Sequence, residues 1–234
     1  MRHALLFLLL GCGWLALACY WSGICWLLLW PAASYLTISA GYALLGAGVF
    51  GKHPDGTLSS AAFVLMLPYT VGSWLIWAVT RLISAESACS QVAPGLWIGR
   101  RPVVRELPPQ TGLVVDLTCE LWEPRDIRRH REYLCVPTLD QCLPLDHVLA
   151  NLVRRIARDR GTVLIHCAQG HNRSAAIAAA VIVVRGLATD MEEAIRQIVA
   201  VRPKIHLRPG QLAAASRVLN SRATLRPAAL GSSK

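Results

Sequence analysis

The early part of this 234-residue chain lacks charge: from Ala4 to Gly51 there is no Asp, Glu, Lys or Arg. This length is more than twice the ~20 apolar residues that a helix needs to cross a bilayer. The absence excludes an ordinary water-exposed surface for this segment, because charged residues are the ones that folded chains keep on the surface. Nearly all of the 24 lysines and arginines follow residue 80, although the mean hydropathy of the whole chain is +0.41.

Three apolar stretches predict that residues 1–83 form an all-α transmembrane region of three helices. They cover residues 5–19, a second stretch from about 27 or 32 to 50, and about 60–80. Whether residues 4–30 form one span or a tight hairpin stays open at this point. A cleavable signal peptide at residues 1–20 is the competing interpretation, and it is disfavoured because more apolar sequence follows at once.

The remainder of the chain lacks a paired cysteine framework, since residues 81–234 hold an odd number of cysteines. Free thiols persist in a reducing compartment, so we expect this part to face the cytoplasm. Arginines cluster at residues 125–131 and 154–160. They predict either a solvated basic surface or a surface that faces anionic lipid head groups. No nucleic-acid-binding motif accompanies them, so no nucleic-acid partner is expected.

The residues after the spans predict one α/β domain with a central, mainly parallel sheet flanked by helices, because strand-like and helix-like runs alternate. Residues 84–95 are small and polar and are interpreted as a linker. The domain then covers residues 96–220, and residues 221–234 are expected to form a flexible tail. Predicted strands lie at residues 96–98, 112–118, 133–137 and 162–166, and predicted helices at about 144–158, 174–185, 189–201 and 209–219.

The string HCAQGHNRS, residues 166–174, lies between a strand-like run and a helix-like run. In such a loop the backbone N–H groups and the helix dipole form an anion site, and Gly170 permits the turn. Arg173 offers a planar guanidinium that fits two phosphate oxygens. The same positive field favours a thiolate at Cys167, and Ser174 could donate a hydrogen bond to the departing sulfur. We therefore expect cysteine attack on a phosphate ester, with no metal or cofactor.

The leaving oxygen needs a proton, which a carboxyl group near this loop would supply. Asp140 follows a strand and can reach across the mouth of the anion site. Asp146 is the alternative, although in the first turn of a helix it more simply complements the helix dipole. Glu120 and Glu123 could orient Arg173, but a solvated loop is the favoured interpretation for both.

These motifs resemble the cysteine-dependent protein tyrosine phosphatase superfamily, in its dual-specificity branch, over essentially the whole soluble domain. The resemblance implies that Cys167 is the nucleophile, Arg173 the phosphate clamp and Asp140 the general acid. It also implies that Ser174 assists departure of the thiolate and that His166 braces the cysteine; a helix-start serine and a core histidine are the alternatives. The expected substrate-binding residues are those of the loop: Ala168, Gln169, Gly170, His171, Asn172 and Arg173.

Two further segments narrow the resemblance. Residues 201–212, VRPKIHLRPGQL, are similar to a segment of mitochondrial phosphatidylglycerophosphate phosphatases. With residues 117–124, LTCELWEP, they also resemble bacterial dual-specificity domains carried on multi-span membrane segments. The resemblance implies an integral protein of a bacterial inner membrane that acts on a phospholipid head group such as phosphatidylglycerophosphate. A protein tyrosine or serine/threonine phosphatase and an inactive phosphate-binding scaffold remain as alternatives.

Overall fold

A computed structural model describes residues 2–20 and 23–220 of the chain. The tail expected at residues 221–234 lies outside the described residues. The N-terminal region contains helices α1 (Arg2–Tyr20), α2 (Leu29–Ala40) and α3 (Ser60–Ile83). A 3₁₀ turn at Gly23–Leu28 precedes α2, and a π-turn and a 3₁₀ turn extend it to Phe50.

By length and composition, three helices in this region could cross a membrane: Arg2–Tyr20, Cys25–Phe50 and Ser60–Ile83. α1 and α2 form an antiparallel hairpin, in which the Ser39 hydroxyl donates to the carbonyl of Ala4 at 2.7 Å. A Cβ on Gly11 would lie 2.7 Å from the Leu36 side chain, so the glycine permits the close approach of the two helices. Residues 4–30 therefore contain the end of one helix and the start of the next.

Residues 84–220, which we call the catalytic half because they contain the loop expected to carry the nucleophile, form a five-stranded sheet with the strand order β1-β2-β5-β3-β4. The four strands β2, β5, β3 and β4 run parallel, and β1 pairs antiparallel with β2, which confirms the predicted mainly parallel sheet. The strands are β1 (Cys89–Ala93), β2 (Leu96–Arg100), β3 (Thr111–Thr118), β4 (Glu132–Thr138) and β5 (Thr162–Cys167). β1 lies within the predicted linker, where a short edge strand without a run of β-branched residues gives no clear pattern.

Five helices flank this sheet: α4 (Arg125–His130), α5 (Asp146–Arg158), α6 (Arg173–Val184), α7 (Met191–Val201) and α8 (Pro209–Asn220). α6 is buried at every position from Arg173 to Ile182, because it is apolar on nearly every face and packs at the centre of the domain. α5 has the amphipathic pattern expected of a helix that covers one face of the sheet. The first arginine cluster forms α4.

The N-terminal helices and the catalytic half share a buried apolar cluster. Ile38, Phe50 and Met66 come from the helical region, and Cys119 and Leu139 come from loops that follow β3 and β4. Burial of such side chains contributes roughly 1.5–3 kcal/mol each relative to exposure. The sequence predicted a membrane region joined to a separate soluble domain, whereas the structure packs the two together.

Candidate active site

The loop from Cys167 to Arg173 joins the end of β5 to the start of α6 and encloses a buried thiol. Cys167 is 3% exposed. The Gly170 backbone N–H donates to its Sγ at 3.2 Å, and the Ser174 Oγ lies 3.5 Å from the same atom. Gly170 has φ +77°, and a Cβ there would collide with the backbone of β2, so only glycine fits this turn. The arrangement places a backbone N–H and a hydroxyl within hydrogen-bonding distance of the candidate nucleophile.

Arg173 is held in place by a buried carboxylate. Its Nη2 donates to Glu120 Oε1 at 2.7 Å and its Nη1 to Glu120 Oε2 at 3.2 Å, while Nη1 also donates to the carbonyls of Leu117 and Thr138. Burial alone would raise the pKa of Glu120, but the guanidinium outweighs it and lowers that pKa below its ordinary value. The buried Nε of Arg173 has no hydrogen-bond partner among the described residues, so it is available to a bound oxyanion.

The solvated-loop interpretation of Glu120 and Glu123 was wrong, because both side chains are buried. The physical reason is the strand order: β3 lies beside β5, so the loop that follows β3 meets the catalytic loop at the same edge of the sheet. A carboxylate placed directly after a predicted central strand was the signal that could have identified Glu120.

The structure brings Asp140, and not Asp146, into the candidate site. Asp140 Oδ1 lies 3.4 Å from Arg173 Nη2, and its side chain is partly open to solvent. Asp146 instead pairs with Arg217 of α8 at 3.1 Å. The position of Asp140 is therefore compatible with proton transfer to a group bound by Arg173.

The N-terminal helical region also contacts the loop that carries Asp140. The Tyr42 hydroxyl donates to the Asp140 carbonyl at 3.4 Å, and His3 Nε2 lies 2.9 Å from Gln141 Oε1. Leu139 is part of the shared apolar cluster. Helices α1 and α2 thus fix the segment that carries the candidate acid.

A pocket of about 270 Å³ lies over the catalytic loop. It is lined by Glu120, Asp140, Cys167, Ala168, Gln169, His171, Asn172 and Arg173, and also by Tyr69, Ser73 and Ile76. The last three belong to α3, so an apolar helix of the N-terminal region forms one wall of the pocket. No local sequence signal connects these residues to a loop about a hundred residues away.

His166 lies beside Cys167 in sequence but faces the other side of the sheet, because successive strand residues alternate. Its ring nitrogens make no hydrogen bond within the described part of the chain, and Nε2 lies 3.6 Å from Glu123 Oε2. Burial lowers the pKa of His166 to about 4, so the ring is neutral. A weaker interaction of the ring with the Cys167 backbone acts against this lowering of the pKa.

Behind the catalytic loop, Lys52 fills a buried polar site. Its Nζ donates to Asp116 Oδ2 and to the Leu121 carbonyl at 2.6 Å each, and to Thr118 Oγ1 at 2.7 Å. The side chains of Lys52 and Asp116 are fully buried. Burial alone would raise the pKa of Asp116, but Lys52 outweighs it and lowers that pKa.

The same region has a spacing that could hold a metal ion, since ligand atoms of Asp116, Glu123 and His166 lie within 4.8 Å of one another. Lys52 already neutralises Asp116, and Arg101 Nε lies 3.7 Å from Glu123 Oε2. Burial and the neighbouring Asp116 raise the pKa of Glu123 well above its ordinary value, which makes Glu123 a poor ligand for a cation. The donor set is therefore better described as a buried ion-pair network than as a metal site.

Arg202 of the VRPKIHLRPGQL segment is connected to the site through Glu86. This buried side chain donates to the Ser87 carbonyl at 3.0 Å and lies 3.3 Å from Glu86. Glu86 Oε2 in turn lies 2.6 Å from His171 Nε2, at the rim of the catalytic loop. Sequence reasoning placed Glu86 in a linker and assigned it no role.

Comparison with known proteins agrees with the resemblance to dual-specificity phosphatases. The family described as "Dual specificity phosphatase, catalytic domain" matches residues 97–216. No curated protein sequence matches the chain significantly.

Solved structures share the fold of the catalytic half. Tk-PTP in its active form is 26% identical, with a TM-score of 0.51 over 57% of this chain and 97% of that one. A mouse putative dual specificity phosphatase complexed with zinc tungstate is 23% identical, with a TM-score of 0.49 over 60% and 94%. PTPMT1 in complex with PI(5)P is 20% identical, with a TM-score of 0.45 over 57% and 95%.

Proposed function

The chain belongs to the dual-specificity phosphatase family, and from this premise we propose that it hydrolyses a phosphate monoester on a phospholipid head group through a phosphocysteine. The family makes it a phosphoric monoester hydrolase. The roles of individual residues, the lipid substrate and the membrane location are our proposal. They are supported by the geometry of the pocket and by the apolar helices beside it.

In the first step, the phosphate dianion binds to the loop N–H groups and to the free Nε of Arg173. The Cys167 thiolate attacks phosphorus, so that an S–P bond forms while the ester P–O bond breaks. Asp140 gives its proton to the leaving oxygen. Glu120 keeps the guanidinium of Arg173 in the plane that the transferring phosphoryl group requires.

In the second step, water attacks the phosphocysteine and gives up a proton to Asp140. The S–P bond breaks, inorganic phosphate is released, and the sulfur leaves as a thiolate. The Gly170 N–H and the Ser174 hydroxyl are within 3.5 Å of that sulfur and stabilise its charge. The cycle is complete without a further reactant besides water.

One observation carries the lipid assignment: α3 forms a wall of the catalytic pocket and also has an exposed apolar side. Tyr69 and Ser73 line the pocket, while Val71 and Leu75 are 54% and 55% exposed. The phosphate site thus lies within about one helix diameter, roughly 10–12 Å, of an apolar surface. A lipid whose chains occupy that surface can present its head-group phosphate to Cys167.

The proposal is tested with the full chain reconstituted in lipid vesicles. We expect kcat/KM for phosphatidylglycerophosphate in the same vesicles to exceed that for a phosphotyrosine peptide by about a hundredfold or more, the range that confinement to one surface can add. A preference for the peptide would assign the protein to the protein phosphatases instead. Turnover of neither substrate would identify a phosphate-binding scaffold.

The acid role of Asp140 predicts an effect that depends on the leaving group. Asp140→Asn should lower kcat/KM for an alkyl phosphate by about a hundredfold, because an alkoxide needs a proton to leave. The decrease for 4-nitrophenyl phosphate should be only a few-fold, since its leaving group is stable as an anion. Asp146→Asn is the matched control and should change neither rate. Equal slowing of both substrates by Asp140→Asn would remove Asp140 from this role.

A further inference from the structure

The segment that precedes α3 is built into the catalytic half. Lys52 is fully buried against Asp116, and the Glu123 backbone N–H donates to the Gly56 carbonyl at 3.3 Å. Arg128 Nη1 donates to the Asp55 carbonyl at 2.9 Å. The N-terminal end of α3 is therefore in contact with the catalytic half.

The rest of α3 also contacts the catalytic half. Near its start, Phe63 packs edge-on against Trp122, with ring centroids 6.2 Å apart. Near its end, Trp77 Nε1 donates to the Arg101 carbonyl at 3.1 Å. Arg81, in the last turn, pairs with Glu106 at 3.0 Å. Both ends of α3 thus touch the same folded body.

These contacts conflict with a path of α3 across a bilayer. A helix of 24 residues is about 36 Å long, and the hydrocarbon core is about 30 Å thick. If α3 crossed it, residues 51–59 and the catalytic half would lie on opposite sides of the membrane. The Lys52–Asp116 pair and the Arg81–Glu106 pair would then be separated by hydrocarbon, in which polar groups without partners are strongly disfavoured.

The side of α3 that faces away from the catalytic half is apolar and exposed. Val64, Val71, Leu75 and Leu82 recur at helical spacing, and each is more than half exposed. This surface adjoins the α1–α2 hairpin, where Trp30 Nε1 donates to the Val64 carbonyl at 2.9 Å. Like α3, the hairpin is apolar enough to enter a membrane. Lipid is the occupant that suits both surfaces.

We propose that α3 lies along the membrane surface, with this apolar side in the lipid, and that residues 51–59 and the catalytic half share one side of the membrane. The inference rests on the proposed membrane association. The α1–α2 hairpin contacts the same lipid, because α2 lies alongside α3, with the Tyr35 and Tyr69 ring centroids 6.4 Å apart. The α1 N-terminus lies on the same side, because His3 contacts Gln141.

The charge distribution agrees with this arrangement. Arg2, Lys52 and the basic catalytic half share one side, and the turn that joins α1 to α2 has no Asp, Glu, Lys or Arg. Such an asymmetry is what the positive-inside rule describes. With three crossings, Lys52 and the catalytic half would lie on opposite sides, and the rule would give no clear orientation.

The arrangement also explains how the pocket meets the membrane. Tyr69 and Ser73 face the catalytic loop, whereas Val71 and Leu75 face outward from the same helix. Ile76 lines the pocket and is 63% exposed, so it lies at the boundary between the two surfaces. A head group would reach Cys167 over this edge without leaving the interface.

The test introduces single cysteines into the full chain at exposed positions on either side of α3. Pro54→Cys and Ala61→Cys report on the start of the helix, and Lys204→Cys reports on the catalytic half. A membrane-impermeant maleimide is applied to sealed vesicles of each orientation, and the label gained over the parent chain is counted by mass. Hydrolysis of 4-nitrophenyl phosphate at the parental rate shows that each variant is folded.

We expect all three cysteines to react from the same face of the vesicle and none to react from the other. Labelling of residues 54 and 61 from the face opposite to residue 204 would overturn the inference and restore three crossings. No labelling at 54 and 61 from either face, in active variants, would also overturn it. Recovery of the chain in the soluble fraction would instead contradict the proposed membrane association itself.

Discussion

Replacement of Cys167 by serine is expected to abolish phosphate release, lowering kcat by about 10⁴-fold or more for every ester that the enzyme accepts. A serine hydroxyl remains protonated at neutral pH, so the loop would hold the phosphate without a nucleophile that can attack it. The change is nearly isosteric, and the Arg173–Glu120 pair stays in place, so binding of the substrate should persist. The measurement is phosphate release together with acid-quench detection of protein-bound phosphate.

The matched control is Cys89→Ser, in β1 of the same domain. Burial raises the pKa of Cys89 to about 12, so this thiol is protonated at neutral pH and takes no part in the reaction. The control should retain activity close to that of the parent chain. If Cys167→Ser kept activity within about tenfold of the parent, or still accumulated a covalent phosphoprotein, the phosphocysteine mechanism would be wrong.

Replacement of Lys52 by methionine is expected to cause the largest loss of stability, about 3–5 kcal/mol. The variant leaves Asp116 as a buried carboxylate without its cation, although the Tyr133 hydroxyl still donates to it at 2.6 Å. For a chain of this size the loss corresponds to a decrease in Tm of about 10 °C. The measurement is thermal unfolding of the full chain in detergent, followed by activity and by tryptophan fluorescence.

The double variant Lys52→Met, Asp116→Asn separates the charge from the packing. An asparagine can still accept hydrogen bonds but needs no cation, so it should restore a large part of the lost Tm. Lys204→Met, at an exposed position of the catalytic half, is the control and should change Tm by less than about 2 °C. If Lys52→Met behaved like Lys204→Met, the buried pair would contribute nothing to the fold.

The catalytic loop could be predicted from the sequence because its chemistry is local. Cys167, Gly170 and Arg173 lie within seven consecutive residues, and the strand before them and the helix after them fix their directions. Asp140 could be predicted for a similar reason, since it follows a strand end and such ends converge in a parallel sheet. The α/β class followed from the alternation of strands and helices.

Lys52 and the α3 wall could not be predicted because they depend on contacts between distant parts of the chain. Lys52 lies in a short polar turn between apolar runs, where a solvated lysine is the ordinary expectation. Only the packed structure shows that it meets Asp116 in the core. Similarly, the apolar pattern of α3 predicts a lipid neighbour for the whole helix, whereas the structure gives one side to the catalytic pocket.

The pairing of Lys52 with Asp116 has a consequence for how this chain could arise and diversify. The segment with the phosphatase motifs contributes Asp116, but the cation that neutralises it is encoded before the third apolar helix. A recombination event that moved the catalytic segment onto another anchor would leave an uncompensated carboxylate and an uncovered apolar cluster. The two halves are therefore expected to be inherited as one unit, in contrast to enzymes whose anchors are exchanged freely.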